Sequence, residues 1–232
     1  AVPDFAAGAM ENTAAIFYRD SALLVDSQTA SVSAIKNVAD VIAHEMAHQW
    51  FGDLVTMRWW DDLWLNEGFA TWMGNKIHGQ LRPEAHTDRG LLEGAIGAMG
   101  ADSLASSRRI HEPIKDFTDI QSAFDGITYQ KGAATLVMFE NYIGPEKFKQ
   151  GIRNYMKAHA RGNATSADLI GALAAQGDDA DAVGKAFFSF IDQAGVPTVK
   201  VDVDCANGKP TLVLEQQRYV PLGSTLSSEQ TW

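Results

Sequence analysis

Two histidines four residues apart bracket a glutamate in the run Val41-Ile42-Ala43-His44-Glu45-Met46-Ala47-His48-Gln49-Trp50-Phe51, and eighteen residues separate His48 from Glu67 in Trp64-Leu65-Asn66-Glu67-Gly68-Phe69-Ala70. On a helix, side chains four apart stand one above the other, so His44 and His48 present two imidazoles to one point. Glu45 sits on the same turn and can lean over that point without ligating it. Two imidazoles plus the Glu67 carboxylate from a second helix leave one position of a tetrahedral zinc site open to water. A water held there can be activated to attack a carbonyl. A short His-Glu-x-x-His match also arises by chance in helices. Here the flanks are apolar, so the imidazoles face packed protein, where a buried polar group needs a partner.

That chemistry makes further demands. His44 and His48 must be neutral to ligate, and Glu67 ionised. Each ligating ring is expected to give its other N–H to an acceptor nearby; Thr71, one turn after Glu67, and Asn66 are the candidates. Glu45 is the expected general base, taking a proton from the attacking water and passing it to the leaving amine. The oxyanion formed on a scissile carbonyl needs a donor besides the metal. Composition does not choose it among Tyr18, Tyr129, Tyr142, Tyr155 and Tyr219. His78, His86, His111 and His159 lack ligand spacing and read as surface or capping residues.

The elements that must carry these side chains follow from periodicity and punctuation. Residues 1–30 read as extended segments, including 14–18 and 22–25, with Asp20-Ser21 as a turn. Small residues at 6–9 would let a ligand backbone approach an edge strand and pair with it. Ser31 or Ser33 caps a helix expected to run to about Phe51 and to end at Gly52. A short strand is expected at 54–57, then a helix from Leu63 to His78 closed by Gly79. Trp50, Trp59, Trp60, Trp64 and Trp72 are expected to pack beneath the site. Further helices are expected at 83–100, 119–124, 127–143, 145–160, 166–176 and 180–194, with a loop over 101–118. Pro145 suits a first helical turn, and Thr165-Ser166-Ala167-Asp168 a capping box. After Gly195-Val196-Pro197, valines 199, 201 and 203 alternate with charged residues as a half-buried strand. Asn207-Gly208 reads as a turn and 211–215 as a second strand. The composition shift near 195 divides a catalytic unit, 1–195, from the beginning of another, 196–232.

The 232 residues, 46% hydrophobic and 21% charged, describe an ordinary globular chain. A net charge of −10 argues against nucleic acid or an anionic membrane surface as partner. One cysteine, Cys205, excludes an internal disulfide framework and reads as a buried or loop thiol. No run of 18 apolar residues exists to span a membrane. The chain, beginning at Ala1, reads as a piece of a longer protein.

Four motifs in order, Gly8-Ala9-Met10-Glu11-Asn12, His44-Glu45-Met46-Ala47-His48, Trp64-Leu65-Asn66-Glu67-Gly68-Phe69-Ala70 and Ile127-Thr128-Tyr129-Gln130-Lys131-Gly132, resemble the catalytic core of the gluzincin aminopeptidases. The resemblance covers about residues 1–195. It implies an α+β, thermolysin-like catalytic domain, a small mixed sheet plus a helical bundle, followed at 196–232 by the start of a β-sandwich. It implies one Zn2+ per chain on His44, His48 and Glu67, Glu45 as general base and Tyr129 as the transition-state tyrosine. It implies that Glu11 holds the substrate's free α-amino group, that Gly8 and Ala9 pair with its backbone, that Met10 lines the first side-chain pocket and that Asn12 belongs to the same substrate-binding stretch. The partners implied are peptides with a free N-terminus, together with an N-terminal β domain and a helical C-terminal domain outside this chain. The leukotriene-type epoxide hydrolases are similar and keep the same three motif groups; a non-catalytic scaffold homologue is the remaining alternative.

Overall fold

A computed structural model describes every residue except 27 and 207. The chain opens with a minimal hairpin, β1 (Ala9–Met10) and β2 (Phe17–Tyr18), paired antiparallel with Ala9 opposite Tyr18. A one-turn helix follows, α1 (Asp20–Leu23), where 22–25 was expected to be extended. The Asp20 carboxylate accepts the Ser21 N–H at 2.6 Å and Ala22 is buried, so the apolar run forms a helical turn before leaving in extended backbone at Leu24.

The long helix α2 (Val32–Ala47) is capped by Ser31, whose Oγ accepts the Ala34 N–H at 3.1 Å. It stops at Ala47, four residues before the expected Phe51. His48 is its C-cap, and the chain reverses through Gly52 at φ +138°, a conformation that favours glycine. A short β3 (Val55–Met57) leads to α3 (Trp64–Leu81). Gly79 does not close this helix; it lies within α3, against Thr87, and Pro83 stands just beyond the helix end. Next come α4 (Thr87–Asp102), unbroken through its four glycines, and α5 (Phe117–Ser122), capped by Asp116. The helix expected over 127–143 divides into a π-helical turn, Ile127–Lys131, and α6 (Gly132–Ile143). Then follow α7 (Pro145–His159), β4 (Gly162–Ala164), α8 (Ser166–Ala174) and α9 (Ala180–Ile191). The capping box at Thr165 and Asp168 forms as its residue types predict.

Helix α3 is the axis of the molecule. Trp64, Leu65, Phe69, Ala70 and Trp72 are buried on several of its sides, because α2, α6, α4 and the π-helical turn surround it. Phe51 stacks on Phe69 at 4.4 Å, and Trp64 carries the core towards Phe187, which stacks on Phe139 at 4.1 Å. The buried indoles are satisfied, Trp64 Nε1 by Ser166 Oγ and Trp72 Nε1 by Glu140 Oε2, each at 2.9 Å. The tryptophans expected beneath the site therefore divide. Trp64 and Trp72 are core, whereas Trp50 and Trp59 lie on the surface.

Among the described residues three separate two-stranded sheets accompany the helices, β3 pairing parallel with β4 and β5 (Pro197–Asp204) antiparallel with β6 (Thr211–Arg218). The α+β expectation of helices with small sheets holds. The half-buried strand does not: Val199, Val201 and Val203 are all more than half exposed, as are Leu212 and Leu214 on β6. Among the described residues the hairpin approaches the helices only at its base, where Val199 and Leu214 border a cavity shared with Met99, Met138 and Phe190. The expected turn at Asn207-Gly208 falls partly on residue 207, outside the described residues. Cys205 is exposed in the loop after β5. Among the described residues no helix is long and apolar enough to cross a membrane.

Candidate metal centre

The crossing of α2 and α3 builds the site. His44 Nε2 lies 3.0 Å from His48 Nε2 and 3.2 Å from Glu67 Oε2, and His48 Nε2 lies 3.3 Å from the same oxygen. Ligand atoms of a tetrahedral zinc site, each about 2.0–2.1 Å from the ion, stand about 3.3 Å from one another. Three donor atoms converging at 3.0–3.3 Å, two aromatic nitrogens and one carboxylate oxygen, fit such an ion in spacing and in chemistry.

Outer contacts turn each ring the right way. The Phe51 carbonyl accepts a hydrogen bond from His48 Nδ1 at 2.9 Å, which leaves the Nε2 lone pair free. The early end of α2 makes this possible, since the reversal at Gly52 brings the Phe51 carbonyl back to the ring. Thr71 Oγ1 stands 3.4 Å from His44 Nδ1, as its place one turn beyond Glu67 suggests. Asn66 bonds neither imidazole, and its Oδ1 is buried without a partner among the described residues.

Helix proximity depends on Gly74. A Cβ there would meet His44 N at 2.9 Å and His44 Cα at 3.1 Å, so α3 rests directly on the backbone of the first ligand-bearing residue. Gly74→Ala is expected to push the two helices apart, lower stability by about 1–3 kcal/mol and weaken metal binding. Thermal unfolding and metal titration check this; unchanged affinity would show that the crossing tolerates the methyl.

Electrostatics concentrate negative charge here. Glu45 is 6% exposed with Oε2 unpartnered among the described residues; burial above all, then the nearby charges of Glu11 and Glu67, push it up to about 7 against the opposing influence of His48. Burial disfavours charge on Glu67, but hydrogen bonds from His44 and His48 outweigh it and bring it down to about 2. Burial likewise opposes a proton on His48, yet the hydrogen bond and charge of Glu67, joined by Glu11, raise it to about 9. A site this anionic suits a cation.

Tyr129, from the π-helical turn, stacks its ring on His44 at 5.9 Å and 17°. Burial, then the charge of Glu67, holds its hydroxyl well above the ordinary tyrosine range and so protonated. The other tyrosines separate from it. Burial above all, then the charge of Glu45, raises Tyr18 above its ordinary value. Tyr142 and Tyr219 are exposed, and Tyr155 is buried near Asp62 and Asp168.

Glu11 directly follows β1. Its Oε1 lies 3.8 Å from His48 Nδ1, and its backbone carbonyl accepts from Gln49 Nε2 at 3.3 Å, which ties the strand to the C-terminal end of α2. Gln49 adjoins His48 in sequence, the one signal that could have marked it. Gly8, Met10 and Asn12 are exposed and Ala9 half-buried beside Glu11; β1 is paired with β2 on one edge only. His78, expected as a surface or capping residue, lies in the last turn of α3 and is buried against Asp40, with Nδ1 2.5 Å from its Oδ1. Asp61, Asp62 and His111 also bring potential ligand atoms together. There Asp62 is engaged by the Ser166 backbone and hydroxyl, and His111 Nδ1 pairs with Asp192 at 2.9 Å.

The helix-borne His44, His48 and Glu67 form a donor set that could hold a metal ion, with the buried Glu45 beside it. The chain belongs to peptidase family M1, whose domain matches residues 1–193. It is 42% identical over 97% of its length to Aminopeptidase M1 of Arabidopsis thaliana and to Leucyl aminopeptidase of Saccharolobus solfataricus, covering 25% and 28% of them. It is 41% identical over 94% of its length to Tricorn protease-interacting factor F2 of Thermoplasma volcanium, covering 27% of that protein. The chain thus spans about a quarter of the length of these curated relatives.

Proposed function

We propose that this chain carries the catalytic machinery of a zinc-dependent aminopeptidase that removes the N-terminal residue from peptides. The observation that carries the reading is the convergence of His44 Nε2, His48 Nε2 and Glu67 Oε2 within 3.3 Å, with the Glu11 carboxylate 3.8 Å from His48. Two relatives named as aminopeptidases support it. A zinc ion held by His44, His48 and Glu67 would act as a Lewis acid towards a bound water and the substrate carbonyl.

Glu45, buried and raised to about 7, is suited to accept a proton from the attacking water and return it to the leaving amine. Tyr129 keeps its hydroxyl proton and donates to the carbonyl oxygen as negative charge develops there. Glu11 pairs with the substrate ammonium. Anchoring that charge beside the reacting centre sets the scissile bond one residue from the end. The free edge of β1 lets Gly8 and Ala9 pair with the peptide backbone, with Met10 facing the first side chain and Asn12 completing the stretch. We assign the catalytic unit to 1–195 and the beginning of a β-sandwich to 196–232, which is supported by the exposed hairpin valines.

Glu11→Ala tests the ruler. In the intact protein it should raise KM for an aminoacyl anilide roughly 30-fold or more, the cost of leaving a charge unpaired, while N-acetylated substrates stay uncleaved by wild type. An unchanged KM, or wild-type cleavage of acetylated and free substrates alike, would refute the exopeptidase reading.

A further inference from the structure

Tyr129 rides on the π-helical turn Ile127–Lys131. Such turns are rare and persist where surrounding structure imposes them. The stretch 102–110 grips this one at both ends. At the start of the turn, Arg108 Nη2 and Nε reach both oxygens of Asp125 at 2.6 and 3.2 Å. Nη2 also donates to Thr128 Oγ1 at 2.7 Å and to the Ala123 carbonyl at 3.0 Å. Asp125 Oδ1 in turn accepts the Ile127 and Thr128 N–H groups at 2.9 and 3.2 Å. At the far end, Lys131 Nζ meets Asp102 Oδ2 at 2.9 Å, and buried Asp102 is itself fixed by Ser107 Oγ and Gly195 N.

We propose that Arg108 is a positioning residue for Tyr129, setting the register of the π-helical turn so that the tyrosine hydroxyl meets the reacting carbonyl. The proposal rests on the reading of Tyr129 given above. Arg108 makes no hydrogen bond to His44, Glu45, His48, Glu67 or Glu11, so its influence on the chemistry passes through the turn. The fork of a guanidinium is required: it bridges both carboxylate oxygens while reaching Thr128, which the single ammonium of lysine does not reproduce.

The test is a double-mutant cycle in the intact protein, with kcat and KM measured on an aminoacyl anilide alongside metal content and thermal unfolding. Arg108→Lys should lower kcat about 10- to 100-fold, the size expected for misplacing a catalytic group by about 1 Å, with KM and metal content held within about twofold. In a Tyr129→Phe background the same substitution should change kcat by less than about twofold, because the group it positions is already gone. Equal losses in both backgrounds, loss of metal, or an unchanged kcat would overturn the proposal. If Tyr129→Phe alone leaves kcat intact, the role of Tyr129 fails and the proposal with it. Should Arg108→Lys not fold, Asp125→Asn, which keeps the acceptor's shape without its charge, decides by the same cycle.

Discussion

Glu45→Gln in the intact protein will keep its metal and lose about 10²- to 10⁴-fold in kcat, the contribution of a positioned general base. The amide preserves the volume of the buried side chain and cannot accept the proton. Nothing in the triad of His44, His48 and Glu67 relies on Glu45 for a hydrogen bond, so metal content should match wild type. Equal metal content with wild-type turnover would remove Glu45 from the base role. Loss of metal together with activity would make it a ligand or a structural group.

Glu67→Ala is expected to act on the other half of the pair, abolishing metal binding and activity together. Glu67 supplies the only carboxylate oxygen of the triad and faces both imidazoles. Its removal should weaken affinity by more than the roughly 10- to 100-fold that loss of an outer-shell partner costs. Cation and proton compete for the imidazoles, so binding should release protons and weaken as pH falls. Isothermal titration of zinc in buffers of different ionisation enthalpy reads both effects. Wild-type affinity in Glu67→Ala would place the third ligand elsewhere.

Much of the site was legible because its logic is local. The four-residue spacing of His44 and His48 needs only a helix, and Thr71 follows one turn beyond Glu67 on the next. The choice among five tyrosines was not local. Tyr129 reaches His44 because a π-helical turn, invisible to apolar periodicity, follows a loop pinned from residues 102–110. Gly74 carried no sequence signal either, since its importance lies in a backbone crossing thirty residues from His44. The elements misjudged share a cause. Alternating valines at 199, 201 and 203 predict a buried face, yet burial is set by what packs on the hairpin, and these three stay more than half exposed. Apolar residues through Phe51 argued for a longer α2, but the glycine turn and the His48–Phe51 hydrogen bond ended it at Ala47. Gly79 looked like a helix stop and is a contact for Thr87.

Titration of zinc into the metal-free intact protein, with hydrolysis of an aminoacyl anilide as readout, tests the central claim most directly. Activity should rise linearly from near zero and break at one equivalent per chain, with the N-acetylated substrate untouched throughout. Full activity without added zinc in protein verified to be metal-free, or a rise with no break at one equivalent, would contradict a single hydrolytic zinc on His44, His48 and Glu67.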